Sequence, residues 1–283
     1  MSDTALLSIL TKAADYLKSK GVPNARLDAE LLLAHVLKVK RLDLYLQFDR
    51  PLTDAELEAY RVVMRRRGAR EPLQHIEGTV AFRELTLVSD KRALVPRPET
   101  ELLVDAVKKH LPAVAAPRVL DLGTGTGAII LSIARELPQC ETWACDISPA
   151  ALELTRENAA RNGLSLHAIV ESDLFSAFDA DARWDLIVSN PPYIGAGEVA
   201  GLEPEVREHD PYNALVGGVE GWELPAQILE AAFSRLNDGG VLLMEIAPPQ
   251  IAPLKAIGHK IGWPTLEGLP DYQQSHRFLL AKK

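Results

Sequence analysis

With 283 residues, 47% apolar and 25% charged, the chain has room for one large domain or two ordinary ones and the balance of a soluble globular protein. Its net charge of −8 argues against a basic face for bulk nucleic acid, and no run approaches the ~18 apolar residues of a membrane span. Met1-Ser2-Asp3 opens no basic-then-apolar signal, and Cys140 and Cys145 make neither a disulfide framework nor a zinc site, so a reduced, cytoplasmic protein without a metal is expected.

Residues 1–75 read as helical. Leu6, Leu10, Ala13 and Leu17 recur at spacings of three and four, which lines one helix face, and Gly21 and Pro23 end that helix. Leu27, Leu31, Ala34 and Val36–Leu37 suggest a second helix. Thr53 and Glu56 form a capping-box pattern that opens a third, running toward Arg67. This segment carries 13 Lys and Arg against 10 Asp and Glu, whereas the remainder carries 18 against 29. Arg61, Arg65, Arg66, Arg67 and Arg70 supply the local excess. They read either as a solvated helix face or as a docking patch for an acidic partner.

From Gly78 the periodicity changes. Val80, Phe82, Leu85, Leu87 and Val88 flank Arg83-Glu84 as a hairpin would, within a linker expected over 76–96. Pro98 then sits where a first-turn proline is tolerated, ahead of a helix through Lys109. Beyond residue 117, strands and helices alternate. Strands are predicted at Arg118–Leu122, Glu141–Cys145, Ser165–Val170, Trp184–Ser189, Gly240–Ile246, Pro264–Glu267 and Arg277–Ala281. Helices are predicted over 127–137, 149–162, 222–236 and 248–258, with Ser148 starting the second and Gly163 stopping it. Such alternation implies an α/β domain over 97–283, a parallel sheet with helices on both faces.

Four places carry chemistry. Asp121-Leu122-Gly123-Thr124-Gly125-Thr126-Gly127 follows an apolar strand and opens a helix, so its backbone can turn sharply and approach a ligand. Its G-x-G-x-G spacing differs from the G-x-G-x-x-G of dinucleotide sites and suits a cofactor without a pyrophosphate. Asp146, at the tip of the next strand, can accept from both hydroxyls of a ribose. Ser172-Asp173-Leu174-Phe175 ends the third strand, where Phe175 could stack on an adenine.

The fourth place decides the reaction. Asn190-Pro191-Pro192-Tyr193 closes the buried strand Trp184–Ser189, at the edge where open α/β sheets bind ligands. The two prolines remove N–H donors and stiffen the backbone, so carbonyls face outward as acceptors. A substrate NH2 can then donate to the Asn190 side chain and the Pro191 carbonyl, with Tyr193 offering a flat face. Holding both N–H bonds aims a poorly nucleophilic amide or aryl nitrogen at a methyl sulfonium, and positioning does most of the work.

Taken together these motifs resemble the class I (Rossmann-like) methyltransferases, and more closely the release-factor glutamine methyltransferases, the HemK/PrmC family. Glu71-Pro72-Leu73-Gln74-His75-Ile76, Leu94 through Glu101, Asp121 through Ala128, Asp146 through Leu152 and Ser189 through Ile194 carry the resemblance. Asp210-Pro211, Ala214-Leu215, Gly217-Gly218 and Gly221 extend it, so that it spans residues 70–283. It implies S-adenosylmethionine as cofactor, S-adenosylhomocysteine as product, and the N5 amide of the Gly-Gly-Gln glutamine of peptide-chain release factors as acceptor. It further implies that Gly123–Gly127, Asp146, Phe175 and Asn190 contact the cofactor. Asn190–Tyr193 would hold the glutamine, and Arg97 and Glu99 would shape the site beside it. Ala247-Pro248-Pro249-Gln250 and the glycine-free Asp271–Arg277 segment depart from the family pattern. The 1–75 bundle is expected to dock the substrate protein, with no direct nucleic-acid or membrane partner and a monomeric state. The rival acceptors are a ribosomal-protein glutamine and a nucleic-acid exocyclic amine. An NAD-dependent oxidoreductase and a non-catalytic scaffold are disfavoured by the glycine spacing and by the complete Asn190–Tyr193 loop respectively.

Overall fold

A computed structural model describes residues 5–283; Met1–Thr4, with the opening segment read above for a signal, lie outside the described residues. Contacts divide the chain into two units, one running to Gly78 and including Glu203–His209, the other holding Thr79–Leu202 and Asp210–Lys283. Among the described residues no helix is long and apolar enough to cross a membrane.

The first unit begins with α1 (Leu6–Ser19), α2 (Ala25–Leu37), α3 (Arg41–Leu46), α4 (Asp54–Gly68) and α5 (Leu73–Glu77). Leu6, Leu10, Ala13 and Leu17 all lie in its core, as their spacing predicts. Thr53 caps α4 reciprocally with Glu56. The inward face of α2 differs from the expectation: Ala29, Leu32 and Leu33 are fully buried, while Leu27 is 39% exposed. The run Leu31–Ala34 covers more than one face, so spacing leaves the register open. An ion pair settles it, because Asp28 turns inward to meet Arg67 at 2.7 Å. Arg67 also meets Glu205 at 2.8 Å, Arg70 meets Glu203 at 2.7 Å, and Arg66 meets Glu71 at 2.6 Å. These three arginines of the basic cluster are therefore neutralised within their own unit, partly by the Glu203–His209 segment. Arg61 and Arg65 pair only loosely with Glu58 on an exposed face.

In the second unit β1 (Thr79–Phe82) and β2 (Leu85–Val88) form the expected antiparallel hairpin around Arg83, whose φ is +50°. After α6 (Glu101–His110) come β3 (Arg118–Leu122), α7 (Ala128–Glu136), β4 (Glu141–Asp146) and α8 (Pro149–Arg161). The hairpin is stitched to α8 by the side chains of Asn158 and Asn162, which bond the backbone of Val88 and Thr86, so it is part of this unit. β5 (Ala168–Glu171) and β6 (Trp184–Ser189) follow, then the short β7 (Ile194–Gly195), α9 (Pro204–His209) and β8 (Val216–Gly218). The chain ends with α10 (Glu223–Arg235), β9 (Leu236–Glu245), α11 (Ile251–Ile261), β10 (Thr265–Pro270) and β11 (His276–Lys282).

Seven strands form one sheet in the order β10-β11-β9-β6-β3-β4-β5. Five are parallel; β11 runs antiparallel to β9 and to β10. The wholly parallel sheet expected from the alternation fails here because only a tight turn joins β10 to β11, and a parallel pair needs a crossover. Side chains alternate across the sheet: Leu186, Val188, Val241 and Leu243 join α6 and α7 in one apolar layer. Ile187, Leu242 and Met244 join α10 and α11 in the other. The chain moves outward from β3 to β5, then returns to β6 on the opposite side of β3. That reversal opens a crevice at the carboxyl ends of β3 and β6.

Candidate active site

The glycine loop sits at this reversal. Gly123, Gly125 and Gly127 all have positive φ, at +72°, +57° and +80°, which L side chains adopt only under strain. The backbone N–H groups of Gly123 and Thr124 donate to the Cys145 carbonyl at 2.9 and 3.0 Å, tying the loop to the end of β4. Thr124 and Thr126 are buried, and the Thr124 hydroxyl donates to Asp121 at 2.8 Å. Full burial pushes the Asp121 carboxyl up to about 7, against the bond from Thr124 and with the nearby Asp146 charge adding to the rise.

Asp146 ends β4 with its carboxylate on the crevice wall. One oxygen accepts from Gly125 N–H and the other from Ser148 N–H, each at 2.9 Å. Burial raises its affinity for a proton, and those backbone bonds hold it down. Each oxygen keeps a second lone pair for a ligand hydroxyl.

The crevice is a cavity of about 310 Å³, within the range of small-molecule sites. Gly123, Gly125, Asp146, Asn190, Pro191 and Pro192 share its lining, with Ala93 and Leu94 closing one side and Pro211 and Asn213 another. The third-strand segment contributes Ser172, Asp173 and Leu174. Phe175 is absent from the lining, contrary to expectation. Leu174 has φ +48°, which turns the chain so that the Phe175 ring goes into the core, 5.9 Å from Trp184 and beneath Arg235. Leu174 takes the apolar place on the wall.

The tetrapeptide is held from several directions. Ser189 donates to the Leu122 carbonyl at 2.7 Å, and Gln250 donates to the Tyr193 carbonyl at 2.7 Å. Gln250 closes the 3-10 turn Pro248–Gln250, so the proline pair that departs from the family pattern serves as a rigid seat for this contact. A Cβ on Gly217 would lie 2.3 Å from the Pro192 carbonyl oxygen, and one on Gly221 would lie 2.4 Å from that of Tyr193. The glycines after the loop are therefore required by close backbone approach.

Behind the loop, Asn190 Nδ2 donates to Thr100 Oγ1 at 3.3 Å, and the Thr100 hydroxyl donates to Glu245 at 2.7 Å. The Tyr193 hydroxyl donates to the other Glu245 oxygen at 3.3 Å. Burial pushes the Glu245 carboxyl and the Tyr193 phenol upward; Thr100, Arg277 and Tyr193 oppose the rise at Glu245. Arg97 meets the buried Asp210 at 3.3 Å, and neither Arg97 nor Glu99 lines the cavity. At the far turn, Asp271 accepts from Gln273 and Ser275 backbone N–H and from Arg277, which replaces a glycine turn with a carboxylate-centred one. Sequence reasoning missed Thr100, Glu245 and Gln250 as parts of this site, although Thr100 stood within a segment that carried the resemblance.

A family model described as the PrmC N-terminal domain matches residues 8–78, and one described as the methyltransferase small domain matches residues 98–202. A release factor glutamine methyltransferase of Deinococcus radiodurans is 42% identical over 279 residues, 98% of each chain. One from Rhodopirellula baltica is 38% identical, covering 98% of this chain and 96% of that one. Among solved structures, a methyltransferase from Pyrococcus furiosus aligns with a TM-score of 0.53 at 21% identity, over 72% of this chain and 91% of that one. A T. Thermophilus 16S rRNA methyltransferase in complex with AdoMet and guanosine aligns at 0.52 and 23%, over 72% and 49%. These two show a shared methyltransferase fold.

Proposed function

The chain belongs to the release factor glutamine methyltransferases, and we propose that it methylates the N5 amide of the Gly-Gly-Gln glutamine of peptide-chain release factors, using S-adenosylmethionine. The observation that carries this is one cavity lined by the glycine loop, Asp146 and Asn190–Pro192 together. The relatives' names favour this acceptor over a ribosomal-protein glutamine or a nucleic-acid amine.

The residues present fit the cofactor. Gly123 and Gly125 leave the floor clear, Asp146 retains lone pairs for the ribose hydroxyls, and Leu174 offers an apolar face for the adenine. When bound, the cofactor supplies a methyl group already activated by its sulfonium. Asn190 Oδ1 and the Pro191 carbonyl then accept the two N–H bonds of the glutamine amide. Tyr193 flanks the flat amide, and the nitrogen lone pair is left directed into the cavity. No strong base is called for before transfer, because orientation supplies most of the advantage. The first unit is proposed to bind the body of the release factor. Arg66, Arg67 and Arg70 are engaged in internal pairs, which supports a docking face on α3 and just beyond. There Leu42 and Leu46 are 71% and 76% exposed, and Tyr45 and Phe48 stand beside them in sequence.

The test is incubation with methyl-labelled cofactor and, separately, purified release factors, ribosomal proteins and ribosomal RNA. Label is expected in the release factor. Label in RNA or a ribosomal protein with the release factor left blank would overturn the proposal.

A further inference from the structure

Thr100 and Glu245 take part in no step described above, yet both are almost wholly buried, at 4% and 1% exposed. They lie 145 positions apart in sequence, one at the end of the Pro98–Thr100 turn and the other at the end of β9, and they meet at 2.7 Å. In its ionised form, which Arg277 favours, Glu245 only accepts, and the Thr100 O–H donates to it. The Thr100 lone pairs are thereby turned toward Asn190, whose Nδ2 lies 3.3 Å away. An amide that donates there directs its oxygen elsewhere. Glu245 takes the Tyr193 hydroxyl on its other oxygen, so the last residue of the tetrapeptide bonds Glu245 directly and the first reaches it through Thr100.

We infer that Thr100 and Glu245 are positioning residues that set which way round the Asn190 amide sits, so that its oxygen and not its NH2 meets the substrate amide. A flipped Asn190 would oppose two donors to the two donors of the substrate. This inference rests on the methyl-transfer reading, in which Asn190 Oδ1 is an acceptor.

Thr100→Val keeps the shape of the side chain and removes its hydroxyl, and Thr100→Ser keeps the hydroxyl. Thr100→Val is expected to lower kcat by about 10- to 100-fold through loss of orientation. KM for the release factor and the Kd of S-adenosylmethionine should stay within about threefold, because binding elsewhere is untouched. Thr100→Ser should restore most of the activity. The decisive readout is the double variant. In an Asn190→Ala background, measured by single turnover, Thr100→Val should cost less than about twofold, since residues that act through one another are non-additive. A near-wild-type kcat for folded Thr100→Val overturns the inference, as does an undiminished effect in the Asn190→Ala background.

Should Thr100→Val not fold, Glu245→Gln serves instead, because an amide at that position can donate to Thr100 and reverse the chain. A comparable loss that vanishes in the Asn190→Ala background supports the inference, and full activity overturns it. A wild-type protein inactive on release factors would instead remove the reading on which it rests, and the inference with it.

Discussion

In the proposed reaction the Asn190 side-chain oxygen is one of two acceptors for the reacting NH2. Asn190→Ala is expected to lower kcat by ~10²–10³, the usual loss for a positioned polar group, as measured at saturating substrate. More than half of wild-type turnover would contradict the role. Asp146→Ala should weaken S-adenosylmethionine binding by ~1.5–3 kcal/mol in calorimetry, the worth of bonds to a charged group, with a smaller effect on kcat. Unchanged affinity would remove Asp146 from the ribose site. Asp121 makes a different prediction. Burial raises its carboxyl from 3.8 to about 7, so the folded state holds a proton that the unfolded state releases. Its stabilisation is complete below 3.8 and is lost as pH rises toward about 7. In urea titrations of the ligand-free protein, Asp121→Asn should flatten that decline; equal slopes in both proteins would contradict the assignment. Asn190, Asp146, Gly123 and Gly125, which share one cavity, each stand in a short motif at a strand end that is visible in the sequence. Phe175 turns into the core and Leu174 onto the cavity wall, and no local signal reveals the positive φ of Leu174 that brings this about.

Elements were legible where burial and punctuation agree. β3 and β6 begin and end where their apolar runs do, because both lie in the sheet interior and are bounded by polar turns. β9 starts at Leu236 instead of Gly240, because Asn237-Asp238-Gly239-Gly240 reads as a turn while the fold extends it as strand. The supports of the Asn190–Tyr193 loop were illegible for another reason: Thr100, Glu245 and Gln250 meet it across tens of residues, and no periodicity links them to it. The glycines of β8 were recognised by resemblance, and the structure supplies their cause. Gly217→Ala would drive its Cβ into the Pro192 carbonyl, 2.3 Å away, and backbone cannot swing aside as a side chain does. A stability loss of ~1–3 kcal/mol is expected from such overpacking, together with a fall in kcat larger than the change in cofactor affinity. Wild-type kcat in a folded Gly217→Ala variant would show that the loop tolerates displacement.

For the molecule as a whole, two-part organisation was visible in the change of period near residue 78. The return of Glu203–His209 to the first unit was not, because it depends on Arg67 and Arg70 finding Glu205 more than 130 positions away. That same pairing engages Arg67 and Arg70, and leaves Arg61 and Arg65 exposed together with the apolar side chains around α3. Replacing Leu42 and Leu46 together by Gln should lower kcat/KM on an intact release factor by about tenfold, as loss of remote anchors does. Activity on a short Gly-Gly-Gln peptide and S-adenosylmethionine affinity should not change. Equal effects on factor and peptide would place docking elsewhere. The central claim, that Asn190–Tyr193 presents a glutamine amide for methylation, is tested most directly by mass-spectrometric mapping of a release factor treated with the protein and S-adenosylmethionine. The expected result is a single methyl group on the side-chain nitrogen of the Gly-Gly-Gln glutamine, absent with Asn190→Ala. A methyl group on any other residue, or an unmodified glutamine after complete reaction, would contradict it.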